Sequence, residues 1–196
     1  MATYHAIAAT SQAVLGLLRD ACPREEFSRA EFALYHASDF EKPMEEGISL
    51  CLYRVTINAA VRNLPPRTAS DGRRYRPSLP VDLHYLLTAW AKDAGMQQRL
   101  LGWGMRTLED STILPAGVLN SYMPEPDTFH TNETIEVICD PLSLQDWAAV
   151  WDKLKPKLQT SMTYVARMIA LDSTVELTEG VPVQTRAFDF AKRVTR

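Results

Sequence analysis

No apolar run in the 196-residue sequence approaches the roughly 20 residues that cross a bilayer. Its first residues show no basic segment leading into a cleavable apolar core. These absences predict a chain without a membrane span that folds in the cytoplasm. Cysteine is sparse: Cys22, Cys51 and Cys139 form an odd set in no metal-ligating spacing. This argues against a disulfide framework and fits a reducing compartment, with Cys51 and Cys139 expected as buried thiols inside strands. An excess of positive charge is also missing, since 21 Lys and Arg stand against 24 Asp and Glu, a net charge of −3. Nucleic-acid binding, which usually shows as a basic face, is therefore not expected. There is no Gly-x-x-x-x-Gly-Lys-Ser/Thr phosphate loop and no Gly-x-Ser-x-Gly elbow, and His5, His36 and His130 are scattered. Accordingly, no catalytic, cofactor-binding or metal-binding residue is expected.

One absence is local. Residues 107–152 contain no Lys or Arg, while carrying Glu109, Asp110, Glu125, Asp127, Glu133, Glu136, Asp140, Asp146 and Asp152. The opposite bias lies upstream, where Arg54, Arg62, Arg67, Arg73, Arg74 and Arg76 are set against the single acid Asp71. Such an arginine-rich stretch is either a solvated loop or a surface for an acidic partner.

What is present is organised around 79–91. Alternation there places Val81, Leu83, Tyr85, Leu87 and Ala89 on one face and Asp82, His84, Leu86, Thr88 and Trp90 on the other, the period of a long strand. A helical ending after Leu86 is the alternative. Residues 48–57 form a second run, apolar enough on both faces to be a covered central strand. The two are expected to pair, so that 58–78, rich in proline and poor in apolar residues, projects between them as an excursion without regular structure.

The rest reads in order. Ile7, Val14, Leu18 and Ala21 recur at helical spacing until Cys22-Pro23 ends the pattern. A short strand at 31–36 precedes an acidic loop at 39–46. Asp93 is an N-cap candidate for a helix ending near Asp110, within which Gly102 and Gly104 imply a packing reason. Residues 113–126 read as loop and 134–139 as a strand facing inward through Ile135, Val137 and Cys139. Ser143 with Asp146 resembles a capping box, followed by Leu144, Trp147, Trp151 and Leu154 at helical intervals. A last long strand covers 162–171, and 175–177 with 181–185 is expected as a terminal hairpin or extended arm. The sum is an α+β fold, a mixed, largely antiparallel sheet of about five or six strands with helices packed on it. Residues 1–177 are expected to form a single domain and 178–196 a C-terminal extension.

Three stretches carry a family resemblance: Ser-Leu-Cys-Leu-Tyr-Arg-Val-Thr-Ile-Asn-Ala-Ala-Val-Arg-Asn (49–63), Leu-Pro-Val-Asp-Leu-His-Tyr-Leu-Leu-Thr-Ala-Trp (79–90) and Leu-Leu-Gly (100–102). With the helix start at Ser143 and the strand around 164–171, the chain resembles the cap, or tail-terminator, proteins of extracellular contractile injection systems and phage-tail-like particles. The resemblance implies a non-enzymatic homohexamer, a ring on the terminal inner-tube and sheath rings that ends tube growth and stabilises the extended sheath. It also implies a component of the assembled particle, leaving the cell when particles are released. Exchanged terminal strands hold contractile sheaths together, so the tail bearing Phe188 and Phe190 is expected to reach the sheath protein. In a head-to-tail ring, Arg62, Arg67, Arg73, Arg74 and Arg76 are expected to face acids on a neighbouring subunit or the sheath. Two other classes stay open. One is an assembly chaperone or adaptor for tube or sheath subunits. The other is a small enzyme using Asp82 and His84, which a ligand-sized pocket around those side chains would favour.

Overall fold

The computed structural model describes residues 2–69, 71–124, 127–154 and 158–177. Its helices are α1 (Ala6–Ala21), α2 (Ala94–Asp110), α3 (Ala116–Ser121) and α4 (Leu144–Leu154). Its strands are β1 (Glu31–Tyr35), β2 (Gly47–Ile57), β3 (Arg67–Thr68), β4 (Arg74–Tyr75), β5 (Leu79–Trp90), β6 (Ile113–Pro115), β7 (Thr134–Cys139) and β8 (Ser161–Leu171).

The expected pair forms: β2 and β5 run antiparallel from Gly47 opposite Trp90 to Ile57 opposite Val81. They sit inside one six-stranded sheet of order β1-β2-β5-β8-β7-β6. Only β1 lies parallel to its neighbour, so the sheet is mixed and largely antiparallel, as the periodicities predicted. Strand β5 continues to Trp90 with no helical ending.

The alternation of β5 decides the two cores. Val81, Leu83, Tyr85, Leu87 and Ala89 lie under the main cluster with Ala6, Ala9, Ala13, Val14 and Leu18 of α1 and Leu100 and Leu108 of α2. The alanines of α1 let that helix lie close to the strands. Tyr85 is fully buried, and its hydroxyl is 2.8 Å from Ser11 Oγ, a polar tie between α1 and the central strand. On the opposite face Leu86 and Trp90 join Phe40, Cys51 and Trp151 in a second, smaller cluster. Phe40 meets Trp151 edge-on at 5.8 Å and Trp90 at 5.9 Å. The Trp90 indole N–H donates to Ser49 Oγ at 2.8 Å, which satisfies a donor the cluster would otherwise strand.

Helix α2 starts where expected, with Asp93 Oδ2 accepting from the Met96 N–H at 2.7 Å. Its two glycines differ. A Cβ on Gly104 would lie 2.9 Å from Ile48 Cδ1, so close helix-sheet contact explains that position. Around Gly102 there is open space, so no close approach within the fold explains it, and the expected alternative of a subunit contact is left.

Several segments differ from their expected form. Residues 113–126 are not all loop: β6 pairs with β7, and α3 follows. Pro115 and Gly117 looked like loop punctuation, yet an edge strand and a helix start both tolerate proline. The acidic connection at 39–46 begins inside a 3₁₀ turn, Ala37–Glu41, whose Phe40 is buried. The excursion at 58–78 has structure of its own, a 3₁₀ turn (Ala59–Val61) and the two-stranded β3-β4 ribbon. At α4, Asp146 does not reach back to the Ser143 amide; Ser143 Oγ accepts from the Asp146 N–H at 3.1 Å and donates to its carboxylate at 2.7 Å. Leu144 is not in the buried stripe but 84 % exposed. Strand β2 is covered on both faces only in its first half, since Val55 and Ile57 are each 46 % exposed. Residues 175–177 pair with the excursion, through a bridge between Tyr75 and Glu176, and the second half of the expected hairpin lies outside the described residues.

Candidate functional site

The helical cover over the second face is incomplete. Between it and α4 opens a cavity of about 830 Å³, lined among others by Tyr35, Cys51, Tyr53, His84, Asp140 and Val150. A ligand-sized space therefore does border His84. Asp82 does not line it.

Asp82 and His84 share a strand face but serve separate partners. Asp82 accepts both bonds from Asn58 Nδ2, at 3.2 and 3.1 Å, and the Met168 N–H at 2.8 Å. Met168 has φ 62°, a left-handed residue where the β5-β8 register shifts. The carboxylate thus holds a β-bulge and the root of the excursion. His84 instead lies with its Nε2 3.0 Å from Thr56 Oγ1 and its Nδ1 3.3 Å from Asp140 Oδ2. Sequence spacing gave no sign of these partners, which come from β2 and the residue after β7.

Hydroxyl, imidazole and carboxylate in a row invite comparison with a nucleophilic triad. A nucleophile must face its substrate, however, and Thr56 is not part of the cavity wall. The cavity's thiol offers no alternative: burial, with a smaller push from Asp39, raises the Cys51 pKa to about 11. A thiol so raised stays protonated at neutral pH. The His84 contacts therefore read as a clasp between three elements. No group of His, Cys, Asp and Glu among the described residues could hold a metal ion. No helix among them is long and apolar enough to cross a membrane.

The arginines of the excursion do not form one uniform patch. Arg67 is turned inward: its guanidinium stacks on Tyr75 at 4.7 Å, and its Nε lies 3.3 Å from Asp172 Oδ2. Asp172 in turn accepts from Ser78 Oγ, so the ribbon is pinned to the end of β8. Backbone bonds from Arg76 N to Val175 O and from Leu177 N to Arg74 O complete the anchorage. Arg73 closes the turn at the ribbon tip, its Nε 2.7 Å from Asp71 Oδ2. Hydrogen bonds from the Arg73 backbone and then its guanidinium hold the Asp71 carboxyl below its usual value. Arg62, Arg73, Arg74 and Arg76 are all exposed. The acids that meet Arg67 and Arg73 are Asp172 and Asp71, neither of them in the cation-free stretch 107–152. Phe188 and Phe190 lie outside the described residues.

Comparison with solved structures finds the same fold in two assemblies. One is the PVC sheath/tube terminator of an extracellular contractile injection system in its extended state, with TM-score 0.61 and 13 % identity over 96 % of this chain and 64 % of that one. The other is the tube-terminating cap of the anti-feeding prophage, with TM-score 0.58 and 15 % identity over 91 % of this chain and 59 % of that one. The chain thus spans about three fifths of the length of either. No curated protein matches the sequence. The model of one family, described as the Pvc16 N-terminal domain, matches residues 9–185, and the chain belongs to that family.

Proposed function

We propose that this chain is a non-enzymatic structural cap of a contractile injection system. It assembles as a homohexamer on the last inner-tube and sheath rings, ends tube growth and stabilises the extended sheath. The observation that carries the reading is the family match over residues 9–185, with a fold shared by a sheath/tube terminator and a tube-terminating cap. The site geometry agrees with it, since Asp82, His84 and Cys51 are committed to structure. Termination follows if one ring face matches the growing end and the opposite face offers no such surface. The protein folds before release and leaves as part of the particle.

Within the ring, the excursion is a partner surface. Arg67 sets its shape, while Arg62, Arg73, Arg74 and Arg76 present charge to an acidic neighbour. The tail with Phe188 and Phe190 extends to the sheath protein, as a strand added to the last ring. Changing Arg73→Glu together with Arg74→Glu is expected to leave the fold intact, because an exposed pair such as Arg73–Asp71 contributes only about 0–1 kcal/mol. Circular dichroism should be unchanged, and the number of capped particles seen by negative stain should fall several-fold. Unchanged capping would remove the excursion from the contact.

A further inference from the structure

Strand β1 covers only part of its neighbour. The parallel pairing of β1 with β2 stops at Tyr35 opposite Cys51, and the chain then turns away into the 3₁₀ turn Ala37–Glu41. On its other side β2 stays paired with β5 as far as Ile57. Residues 53–57 therefore have one partnered edge and one open edge. In an antiparallel ladder, alternate residues turn their N–H and C=O toward the neighbouring strand. The Asn58 N–H donates to the Pro80 carbonyl at 3.0 Å, so Arg54 and Thr56 share its orientation toward β5. Val55 and Ile57 accordingly turn their backbone groups to the open side, where no described residue pairs with them. The bulge between Leu52 and Arg54 lies at the start of this stretch, and the register is regular from there to Ile57. Such an edge is a template for a strand of another chain.

The two faces beside the open edge differ in character. On the helix-covered face, Val55 and Ile57 lie opposite Leu83 and Val81, and both are half-exposed. On the other face, the cavity by His84 opens where β1 turns away, with His36, Tyr53 and Arg54 on the sheet side and Val150 and Lys153 on α4. The two acids of that cavity are engaged already. Asp140 lies against His84, and Asp146 accepts from Ser143 Oγ. Arg54 and Lys153 have no ion-pair partner among the described residues.

An added strand sets successive side chains on alternate faces. The strand that fits here lays apolar residues beside Val55 and Ile57 and brings acidic residues to Arg54 and Lys153. The same edge of a second copy does not meet that description, because residues 53–57 carry a cation and no acid.

We propose that the open edge of β2 at 53–57 is a strand-acceptor site for an extended acidic segment of a different protein, paired by backbone with Val55 and Ile57 and held by charge at Arg54 and Lys153. The site stands on this geometry whether or not the chain caps a tube. The probe is a fluorescent peptide of alternating valine and aspartate, blocked at both ends and titrated against the purified full chain. It should bind about tenfold more tightly than its valine-lysine counterpart, the effect of two exposed charge contacts, and Arg54→Glu with Lys153→Glu should abolish that preference. Ile57→Pro should weaken binding several-fold with circular dichroism unchanged, because it deletes an outward N–H and leaves the β5 ladder whole. Equal affinity for the two peptides, binding of neither, a preference that survives the double change, or Ile57→Pro binding like the parent overturns the site. In purified particles, a photo-cross-linking residue at Val55 should join this chain to an acid-bearing segment of a different protein. Cross-links to another copy, to this chain's own residues 178–196, or to nothing overturn the assignment of the occupant. A chain that binds the acidic peptide but is absent from particles overturns the cap reading and leaves the acceptor edge standing.

Discussion

Tyr85→Ala is expected to cost about 3 to 5 kcal/mol, the range for emptying a large aromatic from a packed core. Tyr85 is fully buried in the middle of β5, under α1 and beside Leu83 and Leu87. Truncation removes the ring that fills the space between helix and sheet, and neighbours on a hydrogen-bonded strand cannot collapse into it. The hydroxyl is a smaller part. Tyr85→Phe loses only the bond to Ser11, whose own hydroxyl still donates to the Ile7 carbonyl at 3.0 Å, so the cost should be about 1 kcal/mol. Against the 5–15 kcal/mol typical of whole domains, the alanine variant should be largely unfolded or sharply lowered in its urea midpoint. Equal midpoints for the two variants would mean that the ring does not fill the core as described.

Gly47→Ala is the second large effect, and its cause is backbone. Gly47 has φ 149°, a conformation that residues with a Cβ rarely adopt. A Cβ there would lie 2.1 Å from the Glu31 carbonyl oxygen and 2.7 Å from the Glu31 nitrogen. Neither can swing aside, because Glu31 opens β1 opposite Gly47 and its N–H donates to the Glu46 carbonyl at 3.0 Å. Strain and overpacking together should cost about 2 to 6 kcal/mol. Amides of β1 should lose hydrogen-exchange protection first, since β1 is held to the sheet through β2 alone. A Gly47→Ala protein within about 0.5 kcal/mol of the parent, the scatter of neutral surface changes, would contradict this geometry.

The long strands, α1, α2 and α4 were legible because each repeats its apolar residues over several turns or pleats. Val81 to Ala89 states its buried face outright, and Asp93 states where α2 begins. What was not legible depends on distance along the chain. The partners of His84 are 28 and 56 residues away, and nothing near Thr56 or Asp140 marks them. Arg67 looked like one more cation of a basic loop, until Tyr75 and Asp172 are seen to enclose it. The exposure of Val55 and Ile57 was hidden for a related reason: alternation tells which face a residue takes, not how far along the strand the helices reach. Short elements such as β6 and α3 carry too few residues for a period to emerge between prolines.

The proposed role is to end the tube and hold the sheath extended. Electron microscopy of particles from cells lacking its gene, scored for tube length and sheath state, addresses it most directly. A cap predicts tubes of irregular length with sheaths absent or contracted, and uniform particles again when the gene is restored. Particles of normal, uniform length with extended sheaths would contradict the account.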